Sequence, residues 1–139
     1  MTPTTTNNVN MKELFLSLAN QQHQIIINCL SIDSLRNAPC QDVYRVNSQE
    51  EAVKVIQTWF ALALYQDPAD FETVTIQDFC QSADQRVCSF SVYAGRKDHS
   101  YGRITSVIDV FYPNDQTQTV SSIKPELNTA LQEILQDFQ

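Results

Sequence analysis

The feature that most constrains this chain is the segment 48–66, SQEEAVKVIQTWFALALYQ, which combines a helix start with a strongly apolar second half. Ser48 and Glu51 have capping-box spacing, in which the hydroxyl accepts from the Glu51 amide and the carboxylate reaches back to the Ser48 amide. Apolar residues recur at helical spacing, and no charge follows Lys54 within the segment. Pro68 then ends the helix. We therefore predict a buried central helix whose far half is covered on both sides.

The residues before this helix predict a first long helix and a short strand. Residues 10–30 show helical spacing of apolar side chains after a capping Asn10. The β-branched run Ile25 to Ile27 favours a strand locally, but its periodic context favours helix. Residues 31–39 suit one short helical turn, and residues 42–46 a short strand. Residues 1–9 are polar and are predicted as a disordered tail.

After Pro68 the apolar period changes from helical to alternating, which indicates a sheet. The predicted strands cover residues 72–80, 86–94, 103–112 and 117–124, with 103–112 central because it is apolar on both faces. An amphipathic helix over residues 125–138 closes the chain. The sequence predicts a single α+β domain over residues 10–139: an antiparallel meander sheet packed against two long helices, with a C-terminal amphipathic helix.

The charge distribution disfavours two classes of partner. The 139 residues carry a net charge of -7, and the nine Lys and Arg are scattered along the chain. Binding to nucleic acid or to an anionic membrane surface needs a basic footprint, so neither partner is expected. No apolar run approaches the roughly 20 residues that span a bilayer, and the N-terminal residues do not resemble a secretory signal. A cytoplasmic location is the resulting expectation.

The cysteines show no metal-binding pattern. Four are present, without a C-x-x-C motif or a histidine pair at ligand spacing, so no metal or cofactor is expected. A hairpin turning near Asp84 would place Cys80 opposite Cys88 on the same face. We expect two buried thiols there, with a disulfide or redox role as the alternative.

The order of predicted elements resembles the NTF2-like, cystatin-like α+β superfamily. Two stretches carry the resemblance: DVYRVNSQEEAVKVIQ, a short strand leading into a capped helix, and GRITSVIDVFYPNDQTQTV, similar to that superfamily's paired late strands. The resemblance covers roughly residues 11–124 and implies a curved sheet that wraps the helices. It further implies either a dimeric interaction module or a pocket for a small apolar molecule, in some members with acid-base catalysis. The late turn lacks the usual glycine, and the closing helix is absent from many members.

Asp109 is the main candidate for chemistry, because it interrupts a strand that is otherwise apolar on both faces. In a concave sheet it would serve as a general acid or base, with His23, Tyr65 or Tyr93 as its hydrogen-bonding partner. The structural alternative is a partly solvated carboxylate, or one paired with an arginine, Arg45 or Arg103.

Two functions follow from these observations. The first is a small non-catalytic domain that acts through protein contacts as a homodimer formed through its sheet face; aromatic residues of the predicted strands, Tyr93, Tyr101, Phe111 and Tyr112, favour such an interface. The second is a pocket protein for a small apolar ligand, or a lyase- or isomerase-type enzyme centred on Asp109. The sequence shows no nucleophile motif and no glycine-rich phosphate loop.

Overall fold

The chain folds as an α+β structure with a five-stranded antiparallel sheet and three helices. The structure is a computed structural model that describes residues 3–31, 40–64, 71–84, 86–96, 103–114 and 123–137. The described helices are α1 (Pro3–Gln22), α2 (Gln49–Leu64) and α3 (Ile123–Asp137). The strands are β1 (Ile25–Ser31), β2 (Cys40–Val46), β3 (Phe71–Gln81), β4 (Val87–Arg96) and β5 (Arg103–Phe111). None of these helices is long and apolar enough to cross a membrane.

The strands lie in the order β2-β1-β5-β4-β3, so β5 is central, as its two apolar faces predicted. Strands β3, β4 and β5 follow one another as a meander, whereas β1 and β2 form a hairpin that joins the sheet beside β5. A pairing between β1 and β5 links residues about 80 positions apart in sequence, as the register Asn28 to Asp109 shows.

Helix α2 begins as its capping box predicted. The Glu51 amide donates to the Ser48 hydroxyl at 3.2 Å. The Glu51 carboxylate accepts from the amide of Asn47 at 3.1 Å, one residue before the predicted donor Ser48. Both interactions supply partners for polar groups at a helix start, where backbone amides lack helical acceptors.

One face of the sheet packs against α2 and α3 to form the main core. The buried sheet residues alternate along each strand; they include Ile27 and Cys29 of β1, Cys88 and Phe90 of β4, and Ile108 and Val110 of β5. Trp59 of α2 is 9% exposed, and its indole donates to the hydroxyl of buried Ser106 at 3.1 Å. This hydrogen bond satisfies two polar groups within an apolar layer.

Helix α1 packs on the other face through its C-terminal half. Its residues Phe15 and Ala19 contact a small buried cluster around Ile26 and Phe111, with the two phenyl rings of Phe15 and Phe111 5.2 Å apart. Arg86 ties this helix to the sheet: its guanidinium donates to Asn20 Oδ1 at 2.8 Å, and to the carbonyls of Leu16 and Tyr112 at 3.4 Å each.

The prediction of one helix over residues 10–30 is wrong in its second half, because Ile25–Ser31 forms β1. Helix α1 ends at Gln22 because His23 adopts a left-handed φ of 53°, and the Gln24 amide then donates to the Ala19 carbonyl at 3.2 Å. This is the geometry of a Schellman cap. Once the helix has ended, the β-branched run Ile25 to Ile27 follows its strand preference and is fully buried.

Other predicted boundaries change as well. Helix α1 begins at Pro3, within the segment predicted as a tail. Ile123 and Lys124, assigned to a fourth meander strand, belong to α3 instead. Ser31, the first residue of the helical turn predicted at 31–39, belongs to β1. The rest of that turn and the remainder of the predicted fourth strand lie outside the described residues.

The predicted alignment of Cys80 with Cys88 is also wrong. Asp78 takes a left-handed φ of 57° at a bulge between Gln77 and Cys80, so two residues oppose one on β4. The bulge reverses the side-chain alternation: Phe79 stacks on Phe90 in the core, at 6.0 Å between ring centroids, while Cys80 is exposed. Cys88 is a buried free thiol, so the two cysteines lie on opposite faces of the sheet.

Candidate functional site

The face of the sheet that bears α1 can be described as successive rows of residues that are paired across the strands. The row beneath α1 contains Arg45, Ile26, Phe111 and Val87. The next row crosses all five strands as Val43, Asn28, Asp109, Ser89 and Cys80. The third is Gln41, Leu30, Val107, Ser91 and Gln77, and beyond it lie two pairs on β4 and β3, Tyr93 with Thr75 and Gly95 with Thr73. We call the rows beyond α1 the open face, because each of these residues is partly or well exposed.

Asp109 lies in the middle of the open face, on the central strand. The Ser89 hydroxyl donates to its carboxylate at 2.6 Å, from the directly paired position on β4. On the other side Asn28 is its paired residue on β1, and the Asn28 side-chain oxygen accepts from Gln41 at 2.7 Å. These residues form a polar band across a half-exposed sheet, so Asp109 is partly solvated, as the structural alternative predicted.

The structure does not bring His23 or Tyr93 to Asp109. Strand β1 begins at Ile25, three residues or about 10 Å before Asn28, the residue paired with Asp109, and His23 lies earlier still. Its exposed side chain follows the C-terminal end of α1. Tyr93 shares the open face but is four residues, about 13 Å, from Ser89 along β4. The three predicted catalytic residues therefore lie at separate places.

The other predicted partners of Asp109 do not supply a charge pair either. Arg45 donates to Gln22 Oε1 at 3.0 Å, on the row beneath α1. The side chains of Tyr65 and Arg103 lie outside the described part of the chain. Within the described residues, the hydrogen bond that the structure gives Asp109 comes from a neutral donor, the Ser89 hydroxyl.

Two buried thiols lie on the core side of the same strands. Burial raises the pKa of Cys29 to about 12, with the charges of Asp42 and Asp109 adding to the rise. Burial likewise raises the pKa of Cys88 to about 12, and the charges of Asp109 and Cys80 make smaller contributions in the same direction. A thiol with such a pKa stays protonated near neutral pH, so neither cysteine is suited to act as a nucleophile.

The described residues form two grooves on the helical side of the molecule, and neither of these includes Asp109. One of about 370 Å³ lies between α2 and α3 and has a charged rim of Glu50, Lys54, Glu126 and Glu133. A smaller one of about 210 Å³ is lined by Tyr44, Lys54, Val55, Thr58 and Trp59, where α2 meets β2. The described residues contain no cluster of three or more potential metal ligands.

Sequence reasoning missed Ser89 and Asn28, the two residues paired with Asp109. The alternation in β4 already placed Ser89 on the same face as Tyr93, but the register that sets it opposite Asp109 is a non-local property. The pairing of Asn28 with Asp109 was missed because residues 10–30 were predicted as a helix, which cannot pair with a strand. Among the predicted interface aromatics, Tyr93 is on the open face, while Phe111 lies under α1 and Tyr112 is fully buried.

Comparison with known proteins identifies no relative: no family profile, no curated protein and no solved structure matches this chain.

Proposed function

We propose that this protein is a small non-catalytic domain that acts through protein-protein contacts and works as a homodimer. The observation that best supports a role in protein contacts is the open face, whose described side chains beside α1 are partly or well exposed. Its residues combine apolar groups, such as Leu30, Val107 and Tyr93, with neutral hydrogen-bonding groups, such as Asn28 and Ser91. That mixture is typical of the surfaces through which non-obligate partners bind.

The dimensions of the open face fit a protein contact. Its two complete rows extend about 13 Å along five strands, which at about 4.8 Å each give a width of about 24 Å, and the two pairs on β4 and β3 extend it by about another 13 Å. The projected area is therefore roughly 500 Å², of the same order as the roughly 800 Å² that each partner buries in a standard interface. Well-exposed apolar side chains lie on or beside it: Val43 of β2 belongs to the open face and is 43% exposed, and Met11 and Leu14 on α1 are 44% and 60% exposed.

The acid-base alternative finds less support in the arrangement of side chains. A general acid or base acts within hydrogen-bond reach of its substrate and is tuned by nearby groups. Asp109 has a serine hydroxyl beside it, whereas His23 and Tyr93 lie about 10 Å or more away. The polar band is better suited to hydrogen bonding with a partner's surface. The NTF2-like resemblance and the curved sheet stay proposals, compatible with either function.

Sedimentation equilibrium of the wild type and of Asp109→Asn tests this proposal. If the protein is a non-catalytic homodimer, we expect both proteins to be dimers with the same dissociation constant, because an amide keeps the shape and most hydrogen bonds of the carboxylate. A wild-type monomer over the micromolar range would contradict the homodimer. Turnover of a panel of lyase and isomerase substrates by the wild type that disappears in Asp109→Asn would favour the enzyme instead.

A further inference from the structure

The two edges of the sheet are protected very differently. Strand β3 has register irregularities at Phe71/Thr73 and at Gln77/Cys80. Its Val74 carbonyl accepts a hydrogen bond from the Gln132 side chain of α3 at 3.2 Å, and α3 packs along the strand. Bulges and a covering helix are the usual means by which proteins prevent an edge from pairing with another strand.

Strand β2, at the other edge, carries two charged residues, Asp42 and Arg45, but has neither a register irregularity nor a hydrogen bond from a covering helix in the part of the chain that the structure describes. Its pairing with β1 runs without a register shift from Val46 to Cys40, and the strand contains no proline. Four consecutive side chains of β2 are accessible on both faces of the sheet: Gln41, Asp42 and Val43 are exposed, and Tyr44 is half-buried. A regular, accessible edge is a template for one further strand.

The sequence of β2 is complementary to itself when two copies run antiparallel about a two-fold axis at Val43. Residues directly opposite must then lie on the same face, which sets Val43 against Val43 of the second copy. The same register sets Gln41 against Arg45 and Asp42 against Tyr44, each of which can form a hydrogen bond across the strands. Centring the axis on Asp42 instead would oppose two carboxylates, and centring it on Tyr44 would oppose Val43 and Arg45.

Lys54 provides a second, independent observation. Its side chain lines the groove of about 210 Å³ beside Tyr44 and Trp59, and the structure gives it no partner among the described residues. In the register centred on Val43, the Asp42 of the second copy lies opposite Tyr44, at the mouth of this groove. The unpaired ammonium of one copy thus meets the carboxylate of the other, twice in each dimer.

The open face is less suitable for contact between two identical chains. A face-to-face dimer would bring the polar bands of the two sheets together at about 10 Å separation and desolvate both Asp109 carboxylates. Edge pairing leaves the open faces of both copies accessible for another protein.

We propose that two copies of this chain associate through antiparallel pairing of their β2 strands, giving one continuous sheet across the dimer, with Lys54 of each copy contacting Asp42 of the other. This inference rests on the homodimer of the proposed function and specifies its contact. It assigns the contact between copies to the β2 edge rather than to the sheet face expected from the sequence.

Sedimentation equilibrium of the full chain tests the contact with three kinds of variant. Val43→Lys places two ammonium groups opposite each other at the axis and raises the dissociation constant at least about tenfold. Thr75→Lys puts the same charge on exposed β3 and keeps the wild-type constant. Asp42→Lys and Lys54→Glu each weaken the dimer, and the double variant Asp42→Lys/Lys54→Glu restores it. Circular dichroism of each variant checks that the monomer fold is kept.

The outcomes separate this inference from the proposed function. A wild-type monomer overturns both. A wild-type dimer that Asp42→Lys and Lys54→Glu leave unchanged, but Leu30→Lys on the open face dissociates, keeps the homodimer and overturns the β2 contact. A double charge reversal that fails to restore association overturns the proposed register, since the pairing of Lys54 with Asp42 depends on it.

Discussion

The Ser89 hydroxyl donates a 2.6 Å hydrogen bond to the Asp109 carboxylate from the directly paired position on the neighbouring strand. This pair accounts for a charged residue on the central strand without a catalytic partner. The carboxylate keeps part of its hydration on the half-exposed face and receives one short, charge-assisted hydrogen bond. The most unusual polar residue of the chain is thereby explained by sheet geometry alone.

Asp109→Asn should have a small effect on stability. The amide oxygen can still accept from Ser89, so we expect a loss of about 1 kcal/mol or less in the free energy of unfolding, from weakening a charge-assisted bond. Urea unfolding followed by circular dichroism measures the change. The matched variant Ser89→Ala should lose a similar amount. A loss above about 3 kcal/mol in Asp109→Asn would show that the carboxylate has a buried charged partner instead.

His23→Gly should stabilise the protein. His23 holds a left-handed φ of 53° at the end of α1, and this conformation costs a residue with a Cβ about 1 kcal/mol relative to glycine. We therefore expect a rise of about 0.5 to 1 kcal/mol in the free energy of unfolding. Thermal unfolding of wild type, His23→Gly and His23→Ala measures it, and alanine should give no such gain. A destabilised glycine variant would contradict a capping role for His23.

Arg86→Ala should release α1 from the sheet. Its guanidinium contacts Asn20, Leu16 O and Tyr112 O, and hydrogen bonds to charged groups contribute about 1.5 to 3 kcal/mol. Amide hydrogen exchange in α1 should become at least about tenfold faster, with little change in β4 and β5. Arg45→Ala is the control, since its exposed bond to Gln22 should cost under about 1 kcal/mol. Equal rates of amide exchange in α1 of both variants would contradict the role of Arg86 in holding α1 on the sheet.

Stability should fall at high pH because of the buried thiols. Unfolded cysteine has a pKa near 9.0, and burial raises the pKa of Cys29 and of Cys88 to about 12 in the folded chain. The folded state therefore holds protons that the unfolded state has lost, so this stability is present below pH 9.0 and disappears as the pH rises towards 12. Burial also raises the pKa of Tyr112, so this tyrosine adds to the loss of stability at high pH.

Urea unfolding under reducing conditions at pH 8 to 11 measures this effect. Each buried thiol contributes a slope of about 1.4 kcal/mol per pH unit above its unfolded pKa. In Cys88→Ala the free energy of unfolding should fall less steeply with pH, by the contribution of one thiol, and the variant should stay folded at pH 8. A free energy of unfolding that is constant from pH 8 to 11 would show that these thiols ionise freely in the native state.

Local patterns predicted those parts of the fold that depend on neighbouring residues. Three such features depend on contacts within one element or with an adjacent layer: the capping box at Ser48, the alternation in β4 and the two apolar faces of β5. The closing helix was similarly visible from its apolar stripe, with Leu127 and Leu131 both fully buried.

The rest depends on single backbone conformations and on distant pairings. His23 ends α1, so the following isoleucines form a strand instead of continuing the helix. Histidine is enriched among left-handed residues, but positive φ is still uncommon for it, so its presence did not predict a helix end. Asp78 shifts the alternation of β3 and sends Phe79 to the core and Cys80 to the surface. The partners of Asp109 come from strands about 20 and about 80 residues away, whose register no local pattern fixes.

The most direct test of the central claim is native mass spectrometry of the protein purified gently from its own source. The account predicts a mass of twice the chain of 15.8 kDa, with no additional bound species. A monomer would contradict the homodimer. A monomer or dimer that carries a reproducible small extra mass would contradict the non-catalytic module and identify a ligand.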